Sequence, residues 1–151
     1  MVNLIYGGWK LFFQIKYITM TEKQLIICVE DEPEVTELVQ IILQREGYEV
    51  LGAKGGREGL DLIREKLPDL VLLDLMMPDM DGWEVYQQLQ AEDTTRDIPV
   101  IVVTAKAQSI DKVLGLYIAK VDGYITKPFK PSELAQKIQE VLSKAPIEGK
   151  V

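Results

Sequence analysis

Asp74 ends the apolar run DLVLLD (69–74), and Glu30 and Asp31 directly follow the run LIICV (25–29). Thr104 closes IPVIVVT (98–104), and Lys127-Pro128 follow GYIT (123–126). If these runs are neighbouring strands, Glu30, Asp31 and Asp74 converge in one small volume. Carboxylates gathered in a partly desolvated site repel strongly. A cation relieves that repulsion, and hard oxygen ligands with open positions suit Mg2+. Mg2+ and the Lys127 ammonium together balance the charge of the three carboxylates. A phosphoryl group arriving on Asp74 would meet that metal, the Lys127 ammonium, the Thr104 hydroxyl and backbone N–H groups after the strand. Phosphoryl transfer needs those parts: a nucleophile, positioning and charge neutralisation.

Singly, each residue has an ordinary explanation. An Asp at a strand end is commonly a solvated loop residue or a helix cap. Glu30-Asp31-Glu32 suits the positive end of a following helix. Lys127-Pro128 reads equally as a turn. The coincidence of all of them on one edge is what points to chemistry.

Composition narrows that chemistry. The chain has 151 residues, no His and one Cys. The missing His excludes Ser-His and Cys-His nucleophilic machinery, His-ligated zinc and a phosphoryl group carried on His within this chain. The lone Cys28 allows no internal disulfide and no Cys cluster. Lys and Arg number 17 against 24 Asp and Glu, for a net charge of −7. That balance argues against nucleic acid or an anionic membrane as the main partner.

The elements that must position these residues alternate strand and helix five times. LIICV has the length of a buried strand. Pro33 opens a helix whose Val35, Leu38, Val39, Ile42 and Leu43 share one face, and Gly47 suits its end. YEVLGA (48–53) is the second strand, and a helix over 56–66 is expected to turn Leu60, Ile63 and Leu67 to one side. DLVLLD leads into the loop LMMPDMDG, and WEVYQQLQ (83–90) is a short helix. IPVIVVT comes next, then a helical face of Ile110, Val113, Leu114, Tyr117 and Ile118. GYIT is the last strand, and Pro131 opens a final helix with Leu134, Ile138, Val141 and Leu142 on its face. Strands without in/out alternation are buried on both faces, and helical crossovers imply a parallel sheet. Five such units without a Gly-rich fingerprint predict an α/β, flavodoxin-like doubly wound (βα)5 fold in the order 2-1-3-4-5. Ligands in such sheets bind beyond the carboxyl ends of the strands, where the reactive residues stand.

Residues 1–19 differ from the rest. They hold Lys10 and Lys16 and no acid, too interrupted to span a membrane and unlike a signal peptide. Gly7-Gly8 between apolar runs is a hairpin signal, and KLFFQI is a sticky strand. Met20 opens MTEKQLIICVEDE as a start would, so residues 1–19 are expected to be a non-native start or tag-like extension. Residues 20–144 form the domain, and 145–151 a polar tail.

VEDE after strand 1, LVLLDLMMPDMDG, VVTAK and DGYITKPF together resemble the response regulator receiver domain of two-component signalling, over about Leu25 to Leu142. The resemblance implies that Asp74 is the phosphoacceptor, loaded from a phosphohistidine of a sensor histidine kinase or phosphotransfer protein. It implies Asp31 as a direct Mg2+ ligand beside Asp74, Glu30 as a ligand through water, and Met76 as a ligand through its backbone carbonyl. Thr104 and the Ala105 N–H would hold phosphoryl oxygens, and Lys127 would pair with the group. Thr104 and Tyr124 would act as the switch, repacking the surface of the fourth helix, last strand and last helix for a downstream effector protein. Lys127–Pro128 is often cis in this family. Glu30 stands where the family more often has Asp, and Ala119–Gly123 departs from the usual Gly-Ala-Asp-Asp stretch.

A receiver of this kind is a cytoplasmic signalling phosphoacceptor, not an enzyme beyond its own phosphoryl transfer and autodephosphorylation. It makes no direct nucleic acid contact and no membrane contact, and leaves a homodimer open. It stands alone or belongs to a longer protein. The alternative is a receiver that binds partners without being phosphorylated. A haloacid-dehalogenase-type phosphatase would need a second Asp where Met76 stands. A flavodoxin-type flavin module would place a phosphate against Glu30-Asp31-Glu32, which repel it.

Overall fold

A computed structural model describes residues 22–105 and 120–144. Strands β1 (Leu25–Val29), β2 (Glu49–Ala53), β3 (Leu70–Asp74), β4 (Val100–Thr104) and β5 (Gly123–Thr126) form one parallel sheet in the order β2-β1-β3-β4-β5. Helices α1 (Pro33–Arg45), α2 (Gly56–Lys66), α3 (Gly82–Ala91) and α4 (Pro131–Lys144) complete the described elements. The order and parallel pairing match the expected doubly wound fold. The extension over 1–19, the helical face from Ile110 to Ile118 and the tail over 145–151 lie outside the described residues, as does Ala119.

Apolar residues follow one another along β1, β3 and β4 because both faces of the sheet are covered. Ile26, Cys28, Leu70, Leu72 and Ile101 pack with Val39 and Leu43 of α1 and with Leu134 and Ile138 of α4. Their neighbours Ile27, Val29, Val71 and Leu73 point the other way, to Leu60 and Ile63 of α2 and to Val85 and Leu89 of α3. The period of two along each strand thus divides one apolar run between two cores. The edge strands β2 and β5 are only partly buried.

Several boundaries shift for local reasons. β3 starts at Leu70 rather than at Asp69, because the Asp69 carboxylate accepts a hydrogen bond from Leu25 N at 2.7 Å. β4 starts at Val100 rather than Ile98, since Pro99 has no N–H to give a ladder and Ile98 N is used in a turn to Thr95 O. Tyr48 closes α1 by donating to Leu43 O, so β2 starts one residue later. Gly47, just past α1, has φ 92°, the left-handed conformation expected of a helix stop. α3 gains a residue at each end, and Asp81 caps it by accepting from Trp83 N at 2.9 Å.

Candidate functional site

The carboxyl edge of the sheet gathers the reactive residues. Glu30 follows β1, where its N–H donates to Ala53 O of β2 at 3.0 Å. Asp74 ends β3, and β3 pairs with β4 so that Asp74 stands opposite Val103. Thr104 is therefore one step further along β4, opposite Thr126 of β5. Lys127 comes immediately after β5, and its N–H donates to Thr104 O at 2.8 Å. The Lys127–Pro128 peptide bond is cis, as the resemblance implied.

That backbone anchor aims the Lys127 side chain along the edge, past β4 and β3. Its Nζ lies 2.7 Å from Glu30 Oε2, 3.5 Å from Asp74 Oδ2 and 3.6 Å from Glu32 Oε1. Glu30 and Asp74 are 3% and 4% exposed, and Thr104 is buried beside them. The other oxygen of Glu30 accepts from Glu32 N at 3.2 Å, and Asp74 Oδ1 accepts from Met76 N at 3.1 Å. Each buried carboxylate thus has one backbone donor and a share of one ammonium.

One ammonium is too little positive charge for this many acids. Burial raises Glu30, the hydrogen bond from Lys127 pulls it back and the Asp74 charge raises it again, which leaves it at about 7. Burial lowers Lys127, but the hydrogen bond to Glu30 and the charges of Asp74, Glu30 and Glu32 outweigh it and hold the ammonium above its ordinary value. Cys28, inside β1, is pushed up to about 12 chiefly by burial, so it is an unreactive thiol.

Carboxylate oxygens of Glu30, Asp31 and Glu32 lie within 4.8 Å of one another. Hard oxygen donors with an excess of negative charge fit a divalent cation such as Mg2+. The expected set was Glu30, Asp31 and Asp74. The structure adds Glu32, which sequence reasoning treated only as part of a helix cap, and joins Asp74 through the shared Lys127. α1 receives no side-chain cap from Glu32, which leaves that carboxylate free to face Lys127. Glu32 was legible only as part of a run of three acids. Its pairing depends on a lysine that returns after the whole sheet has formed.

The remaining expected residues are placed as follows. Met76 exposes its side chain, and its N–H bonds the Asp74 carboxylate, so the chain folds back over Asp74. Ala105 is exposed in the bend after β4. Tyr124 is 49% exposed on β5, opposite Val102. Gly82 closes the loop after β3: its N–H donates to Leu75 O at 3.1 Å, and a Cβ there would stand 2.2 Å from Asp74 O. Only glycine permits that approach. Beside Lys127, a groove of about 390 Å3 is lined by Val35, Leu38, Pro128 and Phe129, among others.

Comparison with known proteins gives the same outline. Residues 26–139 match the family model of the response regulator receiver domain. The DNA-binding response regulator MtrA of Mycolicibacterium smegmatis is 40% identical over 119 residues, covering 79% of this chain and 50% of MtrA. The phosphate regulon transcriptional regulatory protein PhoB of Pseudomonas aeruginosa is 39% identical over 130 residues, covering 82% of this chain and 56% of PhoB. The chain therefore spans about half the length of the curated relatives it matches. Among solved structures, the CheY-like receiver domain protein of Methanospirillum hungatei is 34% identical with a TM-score of 0.75, covering 85% of this chain and all of that one. TrrA of Thermotoga maritima, solved in complex with Mg2+ and beryllium fluoride, is 33% identical with a TM-score of 0.70, covering 78% of this chain and 98% of TrrA. Fold, strand-end residues and relatives agree, and the chain belongs to the response regulator receiver domain family.

Proposed function

We propose that this receiver is a phosphoacceptor that takes a phosphoryl group on Asp74 from a phosphohistidine of a sensor kinase or phosphotransfer protein. The observation that carries this is the Lys127 ammonium, held against both buried carboxylates, Glu30 and Asp74. Receiver domains are signalling proteins, not classical enzymes, and response regulators work with sensor kinases and effectors. Residues 20–144 constitute the domain, and residues 1–19 and 145–151 are not needed for the chemistry. No helix among the described residues is long and apolar enough to cross a membrane.

In the transfer, an Asp74 carboxylate oxygen attacks phosphorus, the phosphorus–nitrogen bond breaks, and the imidazole leaves with that electron pair. Asp31 and Asp74 would hold Mg2+ directly, with Glu30 through water and Met76 through its carbonyl; Glu32 adds charge nearby. Bound there, Mg2+ supplies neutralisation of the phosphoryl oxygens. Lys127 stands within reach of the new group and pairs with it. The Thr104 hydroxyl and the Ala105 N–H donate to its oxygens. The groove lined by Val35, Leu38 and Phe129 offers the donor protein an apolar seat next to Lys127.

The switch follows from the same contacts. Drawing Thr104 toward the phosphoryl group frees space beside β5, and Tyr124 turns from its exposed position into it. The surface of β5 and its flanking helices then changes for an effector. The phosphoryl group shifts a two-state equilibrium by its differential contacts.

Beryllium fluoride tests the acceptor. With Mg2+ present, 19F NMR of the parent protein is expected to show bound beryllofluoride, and Asp74→Ala to show none. Equal binding by both proteins would refute Asp74 as the acceptor.

A further inference from the structure

The loop between β3 and α3 carries the backbone that folds over Asp74, and it is fastened at two places. One is Gly82, against the Asp74 backbone. The other lies at its outer turn, where Asp79 reaches the start of α2. Asp79 Oδ1 accepts from Gly56 N at 3.1 Å and Oδ2 accepts from Arg57 N at 3.2 Å. The N-cap of α2 is Gly55, which has no side chain to satisfy those donors. The cap of α2 is thus supplied by a residue of the acceptor loop, more than twenty positions away in sequence.

The fit between the two segments is close. A Cβ on Gly55 would stand 2.7 Å from an Asp79 carboxylate oxygen, and one on Gly56 would stand 2.7 Å from Met80 Cβ. Met77 and Met80 of the loop bury their side chains in the same core as Leu60 of α2. Asp79 is therefore the polar fastening of an otherwise apolar seat. Met76 lies in the chain between Leu75, whose carbonyl accepts from Gly82 N, and Asp79.

We infer that Asp79 is a positioning residue: by capping α2 it fixes the loop over Asp74, and so sets how tightly the site holds Mg2+ and how fast Asp74 is phosphorylated. The inference rests on the acceptor role proposed above. Residues that orient metal ligands from behind characteristically change metal affinity by about ten- to a hundredfold when removed.

Mg2+ titration and acetyl phosphate phosphorylation rates of the parent, Asp79→Ala and Asp79→Asn provide the test. Val141→Ala, in the core under α4 and away from the loop, controls for lost stability. Asp79→Asn removes the charge and keeps an oxygen that accepts one of the two hydrogen bonds. Asp79→Ala is expected to weaken Mg2+ binding about tenfold and to slow phosphorylation, with Asp79→Asn recovering most of the loss and Val141→Ala leaving Mg2+ affinity unchanged. If Asp79→Ala does not fold, the comparison of Asp79→Asn with the parent remains: a loss of tenfold or more in that variant overturns the inference. So does equal loss in Asn and Ala, which would mean charge alone, or parent-like affinity in Asp79→Ala. A parent that neither binds Mg2+ nor accepts phosphoryl overturns the acceptor role itself, and the inference with it.

Discussion

Lys127 Nζ and Glu30 Oε2 stand 2.7 Å apart although β3 and β4 lie between the strands that carry them. The pair forms only when β1 and β5 are both in the sheet, so it reports on the assembled edge. Replacing Lys127 by Met leaves Glu30 and Asp74 buried without a counter-charge. Breaking one partner of a buried ion pair costs about 3 kcal/mol or more. Chemical denaturation of metal-free Lys127→Met is expected to show a loss of about that size, partly restored by Mg2+. An unchanged midpoint would mean that the ammonium does not neutralise this edge.

Glu30 makes the metal-free protein sensitive to pH. Its folded value of about 7 lies above the ordinary carboxylate value. Between the two, the folded state keeps a proton that the unfolded state has released. The group therefore favours folding most at acid pH, and that contribution is lost as pH rises toward about 7. Mg2+ competes with the same proton. The rise in Tm on adding Mg2+ is expected to be larger at about pH 8 than at about pH 6. Equal increments at the two pH values would contradict the assignment.

Asp31 stands between Glu30 and Glu32 in sequence, with carboxylate oxygens of all three within 4.8 Å of one another. Asp31→Asn is expected to raise the metal-free Tm slightly, by less than about 1 kcal/mol of stability for a half-exposed group. The same change should weaken Mg2+ binding at least about tenfold. A variant less stable than the parent without metal would count against carboxylate repulsion.

Tyr86 tests the core on the other face. It is buried, meets Trp83 edge-on at 6.1 Å between ring centroids, and its hydroxyl has no hydrogen-bond partner among the described residues. A buried hydroxyl without a partner carries a desolvation cost of about 1 kcal/mol or more. Tyr86→Phe is expected to be neutral or up to about 1 kcal/mol more stable in thermal unfolding. A clear loss of stability would show that the hydroxyl has a partner.

The strand ends were the most legible feature, because buried parallel strands are apolar throughout and their first polar residue marks the edge. Glu30, Asp74, Thr104 and Lys127 all emerged that way, and the sheet order followed from the alternation of elements. Asp69, Ile98 and Pro99 looked like strand residues because apolar pattern alone does not say where a side chain or a missing N–H ends a ladder. Glu32 and Asp79 were hidden for another reason. Each looked like an ordinary acidic residue near a turn, and each gains its role from a partner far away in sequence: Lys127 for one, Gly56 and Arg57 for the other.

Phosphorylation of Asp74 is the central claim, and intact mass tests it most directly. The parent and Asp74→Asn are incubated with acetyl phosphate, with and without Mg2+, and weighed. The parent is expected to gain the mass of one phosphoryl group with Mg2+ and to gain none without it, and Asp74→Asn to gain none in either condition. A parent that stays at its starting mass with Mg2+ present, or an Asp74→Asn protein that gains as much as the parent, would contradict the account.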